Sequence, residues 1–422
     1  MTTTAVTAAT AIPPRLSEET ARFLVSPEGG RLLNEVAALP GDTPQRVLAL
    51  RKRGLGDPAI LTAALAVADA RHRARLRFPD AHHLFFTSEA LAQATSPMIA
   101  RYHAGQLAAS GARTVVDLGC GIGMDSLALA EAGLTVLALE RDPARVIFAR
   151  ANAAARGVTA RITFRAGDVT ALDWEADAAY WDPSRRVSAE GRRVSRWGDQ
   201  YEPPLSFLAQ IESRVRLGGC VKLSPALPDE ALAELGGRTE FLSEGRECKE
   251  ACVWFGALEG VSGAAATAAV LLRPEGPLVL VPRGDPGDPS PGVLGRFLFD
   301  PDPAVIRSGA LGTLAERLSA HRIGAADAYL TGDDLPTGEL RAAAAAYRVL
   351  DSQPYRPKQV KEMLRARGFG RLVIKKRHFS KEPDVVAREL QLPGGGAEGT
   401  LVLVRTASSP RAEFWSVLCE PV

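Results

Sequence analysis

The chain has 422 residues, of which 46% are hydrophobic and 24% are charged, a balance typical of globular proteins with a buried core. This length favours two or three domains, and the composition excludes wholesale disorder, collagen and a disulfide scaffold. The formal net charge of +2 excludes a polycation, so a nucleic-acid partner would have to bind local basic patches.

The first part of the chain is predicted to be helical. Residues 16–77 are rich in Ala, Leu, Arg and Glu, with Pro/Gly breaks at Pro40-Gly41 and at residues 54–58. A further helix is expected after Ser96-Pro97, because Ser caps the first amides and Pro suits the first helical position. We therefore place an N-terminal helical module at residues 1–95 and start the next domain at residue 96.

Short apolar runs then alternate with amphipathic helices. The predicted strands are residues 114–118, 135–139, 161–164, 178–181, 220–223, 239–242 and 252–255. The predicted helices are residues 125–132, 143–156, 205–215 and 229–235. This alternation predicts an α/β fold over residues 96–260, with a seven-stranded, mainly parallel, Rossmann-like sheet. The last two runs lack a long helix between them, which predicts an antiparallel hairpin.

The C-terminal part is predicted to be a separate α+β domain. Residues 261–292 are interpreted as connecting strands and a linker, since residues 282–292 contain seven Pro or Gly. The final domain, residues 293–422, has predicted helices at 304–319, 338–350, 358–367 and 384–390, and predicted strands at 371–375 and 400–405.

No apolar stretch is long enough for a membrane span and no secretory signal is seen, so the expected location is the cytoplasm and no membrane partner is expected. The odd, scattered set of five cysteines favours free thiols. Nothing in the sequence indicates an oligomeric state.

The strongest local signal is a glycine-rich turn after the first predicted strand. Asp117 is followed by Gly119, Gly121 and Gly123 and then by a helix. Alternating glycines let a nucleotide-like ligand approach the backbone at the strand's carboxyl end. The dinucleotide fingerprint needs a sixth-position glycine, where Met124 stands, and this disfavours NAD.

This motif resembles that of the class I S-adenosylmethionine-dependent methyltransferases. The resemblance implies that Asp117, the three glycines and Cys120 hold the methionine part of S-adenosylmethionine. It also implies that Glu140, 21 residues after Gly119, binds the ribose, with Arg141 beside it. Asp168 and Val169 resemble the turn that contacts adenine. The alternative is a glycine-rich turn in an unrelated Rossmann-like sheet.

A second motif ends the fourth predicted strand, where Trp181 is followed by Asp182-Pro183-Ser184-Arg185-Arg186. It resembles the Asp/Asn-Pro-Pro-aromatic segment of methyltransferases that act on nucleobase nitrogens. Acceptors on Asp182 and the Pro183 carbonyl would orient an amine for in-line transfer. Ser184 replaces the second Pro and Arg185 replaces the aromatic, so Trp181 or Trp197 is a candidate to stack on the base, with Arg186 nearby. A plain Asp-Pro turn is the alternative.

A wider resemblance covers most of the chain. Phe85-Phe86-Thr87, the segment from Leu91 to Thr95 and the C-terminal runs 371–377 and 400–405 are similar to bacterial methyltransferases with a C-terminal THUMP-like domain. Their catalytic part is similar to trimethylguanosine synthases. The resemblance implies that Phe86, Thr87 and Gln93 contact the cofactor.

RNA is the expected partner of the C-terminal domain. Residues 351–381 contain ten Lys or Arg and two acids, and Lys375, Lys376 and Arg377 are candidate phosphate contacts. The favoured function is therefore methylation of an RNA nucleobase nitrogen, with guanine as a candidate. Two alternatives stay open: a small-molecule methyltransferase with a structural C-terminal domain, and a non-enzymatic RNA-binding protein with a vestigial cofactor pocket.

Overall fold

The structure is a computed structural model of the chain. It describes residues 16–41, 43–52, 57–185, 197–260, 266–283, 289–324, 327–392, 394–405 and 414–422.

Helices and strands are numbered in chain order. The α-helices are α1 (Glu18–Val25), α2 (Pro27–Ala38), α3 (Thr43–Lys52), α4 (Pro58–Ala74), α5 (Ser88–Gln93), α6 (Pro97–Ala109), α7 (Met124–Glu131), α8 (Pro143–Ala155), α9 (Leu208–Glu212), α10 (Asp229–Glu234), α11 (Pro303–Arg307), α12 (Leu311–Arg317), α13 (Pro357–Ala366) and α14 (Pro383–Leu390).

The strands are β1 (Thr114–Leu118), β2 (Thr135–Glu140), β3 (Ile162–Ala166), β4 (Ala176–Trp181), β5 (Ser184–Arg185), β6 (Tyr201–Glu202), β7 (Val215–Leu223), β8 (Arg238–Glu244), β9 (Glu247–Gly256), β10 (Thr267–Leu272), β11 (Leu278–Leu280), β12 (Phe297–Pro301), β13 (His321–Arg322), β14 (Leu330–Gly332), β15 (Ala344–Pro354), β16 (Phe369–Lys376), β17 (Ala397–Arg405) and β18 (Phe414–Pro421).

The described residues form two compact units. The first contains residues 16–185 and 201–219, and the second contains residues 197–200 and 220–422, so β7 is divided between them. The helical N-terminal segment and the glycine-rich turn therefore belong to the same unit. The four-part division inferred from the sequence stays a prediction.

The first unit contains the parallel part of a nine-stranded sheet, in the order β3-β2-β1-β4-β7. Leu118 at the end of β1 lies opposite Leu139 of β2 and Trp181 of β4. Since these parallel strands end at one edge, the turns that follow them gather there. The predicted helical start is confirmed, with Ser96 capping α6 and Pro97 in its first turn.

The second unit contains the rest of that sheet, in the order β7-β9-β8-β10-β11. The predicted antiparallel hairpin is confirmed as β8 and β9. The sheet has nine strands instead of seven because β10 pairs with β8 and β11 with β10, so residues that were read as connecting strands extend it. The expected Rossmann-like α/β architecture is present.

A separate seven-stranded sheet forms the C-terminal part of the second unit, in the order β13-β14-β12-β15-β18-β17-β16. Helices α13 and α14 pack on one face through Val360, Leu364, Val386 and Leu390. The helix predicted at residues 338–350 is wrong: a 3₁₀ turn at Gly338–Ala342 leads into β15. Its alanines favour a helix, but pairing with β12 and β18 overrides that preference.

Two cysteines also depart from expectation. Cys220 and Cys252 form a disulfide with a Cα–Cα distance of 6.3 Å, whereas Cys120, Cys248 and Cys419 are free thiols. Within the described part of the chain, no helix combines the length and apolar character needed to cross a bilayer.

Asp177 joins the beginnings of β1 and β4. Its Oδ2 accepts hydrogen bonds from the amides of Arg113 and Thr114 at 2.8 and 3.0 Å, and Arg216 donates to Oδ1 at 3.0 Å. The two amide hydrogen bonds are the main cause that lowers the pKa of Asp177 from 3.8 to about 2.

Because the folded state lowers this pKa, the stabilisation is complete above the unfolded value and is lost as pH falls from about 4 through about 2. We expect Asp177→Asn to reduce the free energy of unfolding at pH 7 and to flatten its loss on acidification. Urea unfolding from pH 7 to pH 2 measures both effects, with the exposed Asp173→Asn as control. Parallel pH profiles for Asp177→Asn and the wild type would contradict this role.

Candidate active site

The glycine-rich turn has a backbone that side chains would disfavour. Gly119, Gly121 and Gly123 have φ values of 89°, 57° and 87°, in the left-handed region. A Cβ on Gly123 would lie 3.2 Å from the Cβ of Ala149, whereas a Cβ on Gly121 would meet nothing within 4 Å. A side chain at Gly123 would therefore be crowded against α8, whereas Gly121 leaves open space beside the backbone.

The turn is fastened to the end of β2. The amides of Gly119 and Cys120 both donate to the carbonyl of Leu139, at 2.9 and 3.0 Å. Glu140 holds the next part, since its Oε2 accepts from the Gly121 amide and its Oε1 from the Asp142 amide, each at 2.9 Å. Cys120 is buried, and burial raises the pKa of its thiol well above the usual range, so it is not a nucleophile.

Asp117 is the buried acid of the site, with 1% of its surface exposed. Ser126 donates to its Oδ2, but its Oδ1 is buried without a hydrogen-bond partner among the described residues. Burial, followed by the charge of Asp125, raises the pKa of Asp117 well above its usual range. The Oδ1 of Asp125 is also buried and has no hydrogen-bond partner in the described part of the chain.

These unsatisfied acceptors beside an open glycine backbone fit a ligand that brings hydrogen-bond donors. An amino acid's ammonium group is such a donor, so the arrangement fits the methionine part of S-adenosylmethionine. The predicted residues Asp117, Gly119, Cys120, Gly121, Gly123 and Glu140 are thus brought together at one edge of the sheet.

The turn after β3 lies next to Glu140. The Gly167 amide donates to the Glu140 carbonyl at 2.9 Å. Asp168 is exposed and its Oδ1 accepts from the amide and the hydroxyl of Thr170, contacts that lower its pKa. Val169 is buried, so this turn presents one exposed carboxylate and one apolar side chain.

The Asp-Pro turn after β4 lies against the glycine-rich turn. A Cβ on Gly119 would be 3.4 Å from the backbone oxygen of Asp182. Asp182 is half-buried and Pro183 is buried, whereas Ser184 and Arg185 are exposed and form β5. The second motif therefore adjoins the first, as their positions on neighbouring strands require.

A two-stranded ribbon links the two motifs further. In the β5–β6 pair, Ser184 lies opposite Glu202. The Glu202 carboxylate accepts from Arg141 at 2.6 Å. Arg141, which was predicted to contact the cofactor, is half exposed and is thus held by the ribbon that follows Asp182.

The predicted stacking role of Trp181 needs correction. Its side chain is only 1% exposed and packs edge-on against Phe207, with the ring centroids 5.7 Å apart. A buried indole of this kind is a core residue and offers no free face to a base. Arg186 and the side chain of Trp197 lie outside the described residues.

Phe86, Thr87 and Gln93 fall on the segment that leads into and forms α5. Phe86 is fully buried and packs against Phe78, so its contact with the cofactor stays a prediction. Thr87 caps α5 by accepting from the Ala90 amide at 3.0 Å. Gln93 is exposed.

The predicted phosphate contacts are held in ion pairs. Asp300, which is 8% exposed, accepts from Lys375 at 2.8 Å and from Arg377 at 3.0 Å. Lys376 donates to Glu382 at 2.7 Å. A phosphate bound by Lys375 or Arg377 would have to compete with a nearly buried carboxylate, so their role as RNA contacts stays a prediction.

Sequence reasoning missed two polar residues that connect the site to the helical module. The Asn152 amide contacts both Phe85 and the glycine-rich turn, and Thr95 donates to Asp125 at 2.8 Å. Asn152 gives no local signal, because its partners are 30 and 67 positions away. Thr95 stood in a segment that was singled out, but its partner could not be inferred.

Comparison with known proteins agrees with this geometry. The model of the family described as "Methyltransferase domain" matches residues 115–181, and that described as "THUMP domain-like" matches residues 344–421. An uncharacterized S-adenosylmethionine-dependent methyltransferase of Mycobacterium tuberculosis is 31% identical over 339 residues, which cover 80% of this chain and 88% of the relative. The chain belongs to the S-adenosylmethionine-dependent methyltransferases.

Two further similarities are narrower in what they show. A crystal structure of a Porphyromonas gingivalis protein assigned as a methyltransferase covers 96% of this chain and 99% of its own, with 19% identity and a TM-score of 0.71, and shows the shared fold. An uncharacterized RNA methyltransferase of Parasynechococcus marenigrum is 46% identical over 76 residues, 17% of this chain and 16% of that protein. The protein described here uses S-adenosylmethionine as its cofactor, as its family does.

We expect Glu140→Gln to weaken binding of S-adenosylhomocysteine by about 1.5–3 kcal/mol, the usual value of a hydrogen bond to a charged group. The substitution removes the charge and places an NH2 donor against one of the two backbone N–H groups that Glu140 accepts from. Calorimetry measures the change, with the exposed Glu131→Gln as the matched control and NAD as a ligand that should not bind. An unchanged affinity would remove Glu140 from the ribose-binding role.

Proposed function

We propose that this methyltransferase transfers a methyl group to a nucleobase nitrogen of RNA, with guanine as the first candidate. The observation that carries the proposal is the position of Asp182-Pro183 directly beside the glycine-rich turn. A base amine conjugated to its ring is a weak nucleophile, and acceptors at this position would bind its hydrogens and orient its lone pair.

Each part of the site has a role in this proposal. Asp117 and the glycines hold the amino acid part of the cofactor, Glu140 with Arg141 holds the ribose side, and Asp168 with Val169 holds the adenine. Phe86, Thr87 and Gln93 close the pocket from the helical module. When bound, S-adenosylmethionine supplies the electrophilic methyl group.

Asp182 accepts the hydrogen bond from the target amine and aligns it. The Pro183 carbonyl is the second acceptor, and Ser184 and Arg185 line the side from which the base enters. Because Trp181 is buried, it is not assigned the role of stacking on the base. Guanine is the first candidate base because the sequence motifs led us to expect a catalytic part similar to trimethylguanosine synthases, a likeness that stays a prediction.

Two findings support RNA as the substrate. The THUMP-like match covers the whole basic stretch, and a relative over 76 residues is named as an RNA methyltransferase. Other basic side chains are exposed and lie apart from the ion pairs of Asp300 with Lys375 and Arg377. Lys358 and Arg365 are exposed on one side of α13, seven residues apart, and Arg371 is exposed on β16.

The role of Asp182 is tested by separating turnover from cofactor binding. We expect Asp182→Ala to lower turnover on RNA from cells lacking the protein by about 10²–10⁴-fold, because its hydrogen bond is used mainly in the reacting complex. Affinity for S-adenosylhomocysteine should change by less than about threefold. Transfer of labelled methyl groups and calorimetry measure the two quantities, and Asp173→Asn is the control. Near-normal turnover by Asp182→Ala would assign this role elsewhere.

The RNA contacts are tested by salt dependence. If Lys358, Arg365 and Arg371 bind phosphates, replacing all three with Ala should flatten the log-log salt slope of single-stranded RNA binding by at most about 2, at about 0.7 per phosphate. Affinity should fall for all sequences alike, since phosphate contacts do not read bases.

A second triple variant, Lys375→Ala with Lys376→Ala and Arg377→Ala, tests the cluster predicted from the sequence. Because it removes the partners of Asp300, it is compared in an Asp300→Asn background, where no buried carboxylate is left unpaired. A folded variant with unchanged salt dependence would exclude these three residues as phosphate contacts. Unchanged binding by both triple variants would favour a small-molecule substrate.

A further inference from the structure

The side chain of Asn152 connects two segments of the first unit by hydrogen bonds. It lies in the last turn of α8 and is fully buried. Its Oδ1 accepts from the Phe85 amide at 2.7 Å, and its Nδ2 donates to the Phe85 carbonyl at 3.2 Å and to the Ile122 carbonyl at 3.0 Å. One side chain thus binds the Phe85 backbone twice and the glycine-rich turn once.

The Phe85 turn is also held from its other side. Arg71 of α4 donates to the Leu84 carbonyl at 2.7 Å, and its guanidinium lies 4.7 Å from the centroid of the Phe85 ring. That ring packs on Phe148 of α8 at 5.3 Å. Burial lowers the pKa of Arg71 to about 10, so it stays charged at neutral pH. The turn is therefore held between α4 and α8.

The far end of the same segment is fixed to the first turn of α7. Thr95 donates to Asp125 Oδ2 at 2.8 Å. Arg77 donates to the carbonyls of Leu91 and Ala94 at 2.8 and 2.7 Å. Residues 85–95 are thus joined at one end, through Asn152, to the glycine-rich turn and at the other end to Asp125.

We propose that Asn152 is a positioning residue for cofactor binding, which locks residues 85–95 onto the glycine-rich turn as a preformed wall of the pocket. The Asn side chain is suited to this because it offers an acceptor oxygen and two N–H donors. An ionised Asp side chain has no donor, and a Leu side chain has neither donor nor acceptor. The inference rests on the proposed cofactor pocket and is independent of the RNA substrate.

The test compares cofactor affinity with stability. Asn152→Leu leaves the buried carbonyls of Phe85 and Ile122 and the Phe85 amide unpaired, so the wall and the turn should separate. We expect the folded variant to bind S-adenosylhomocysteine at least about tenfold more weakly at a temperature well below its Tm. Leu33→Ala, which opens a cavity within the helical module, should lower the Tm with affinity within about twofold.

Asn152→Asp provides a variant of matched size. It keeps the acceptor for the Phe85 amide but turns a carboxylate oxygen, which has no hydrogen to donate, toward the carbonyls of Phe85 and Ile122, so the folded variant should also bind S-adenosylhomocysteine more weakly than the wild type. Wild-type affinity in a folded Asn152→Leu or Asn152→Asp protein would show that Asn152 only stabilises the fold.

Hydrogen exchange on the wild-type protein decides the matter if neither variant folds. S-adenosylhomocysteine should slow exchange of the amides in residues 84–95 if this segment is a pocket wall. Unchanged exchange there, with protection confined to the glycine-rich turn, would overturn the role of Asn152 while leaving the cofactor site intact. Failure of the wild type to bind this ligand would overturn the pocket itself, and the inference with it.

Discussion

The site depends on the parallel register of β1 with its two neighbours. Because Leu118 lies level with Leu139 and Trp181, the turns after β1, β2 and β4 emerge at one edge of the sheet. Asp117, Glu140 and Asp182 come from three separate stretches of chain and meet only because of this register. The hydrogen bonds of Gly119 and Cys120 to Leu139 then fix the glycine-rich turn against β2.

The concentration of carboxylates at this edge has an electrostatic cost that a cationic ligand would offset. Asp117 is buried, and its pKa is raised by burial and by the neighbouring acids, first among them Asp125. A ligand with an ammonium group and a sulfonium centre brings the opposite charge. The surroundings that disfavour the ionised form of Asp117 thus favour a positively charged cofactor.

Local sequence predicted the elements whose signal is local. The strand β1, the glycine-rich turn after it and the cap at Ser96 follow from short motifs. Prediction failed where distant pairing decides the outcome. The alanine-rich residues of β15 form a strand between β12 and β18. Cys220 of β7 forms a disulfide with Cys252 of the neighbouring strand β9. Trp181 is buried and packs against Phe207, and Asn152 forms hydrogen bonds with residues that are distant in the sequence.

The most direct test of the account is a map of modified nucleosides in total RNA from cells with and without this protein. The account predicts that one base-methylated nucleoside, with the methyl group on nitrogen, is absent from the RNA of cells that lack the protein and is restored by the wild-type chain. Identical nucleoside profiles in the two RNAs, with labelled methyl groups appearing only in small molecules, would contradict it.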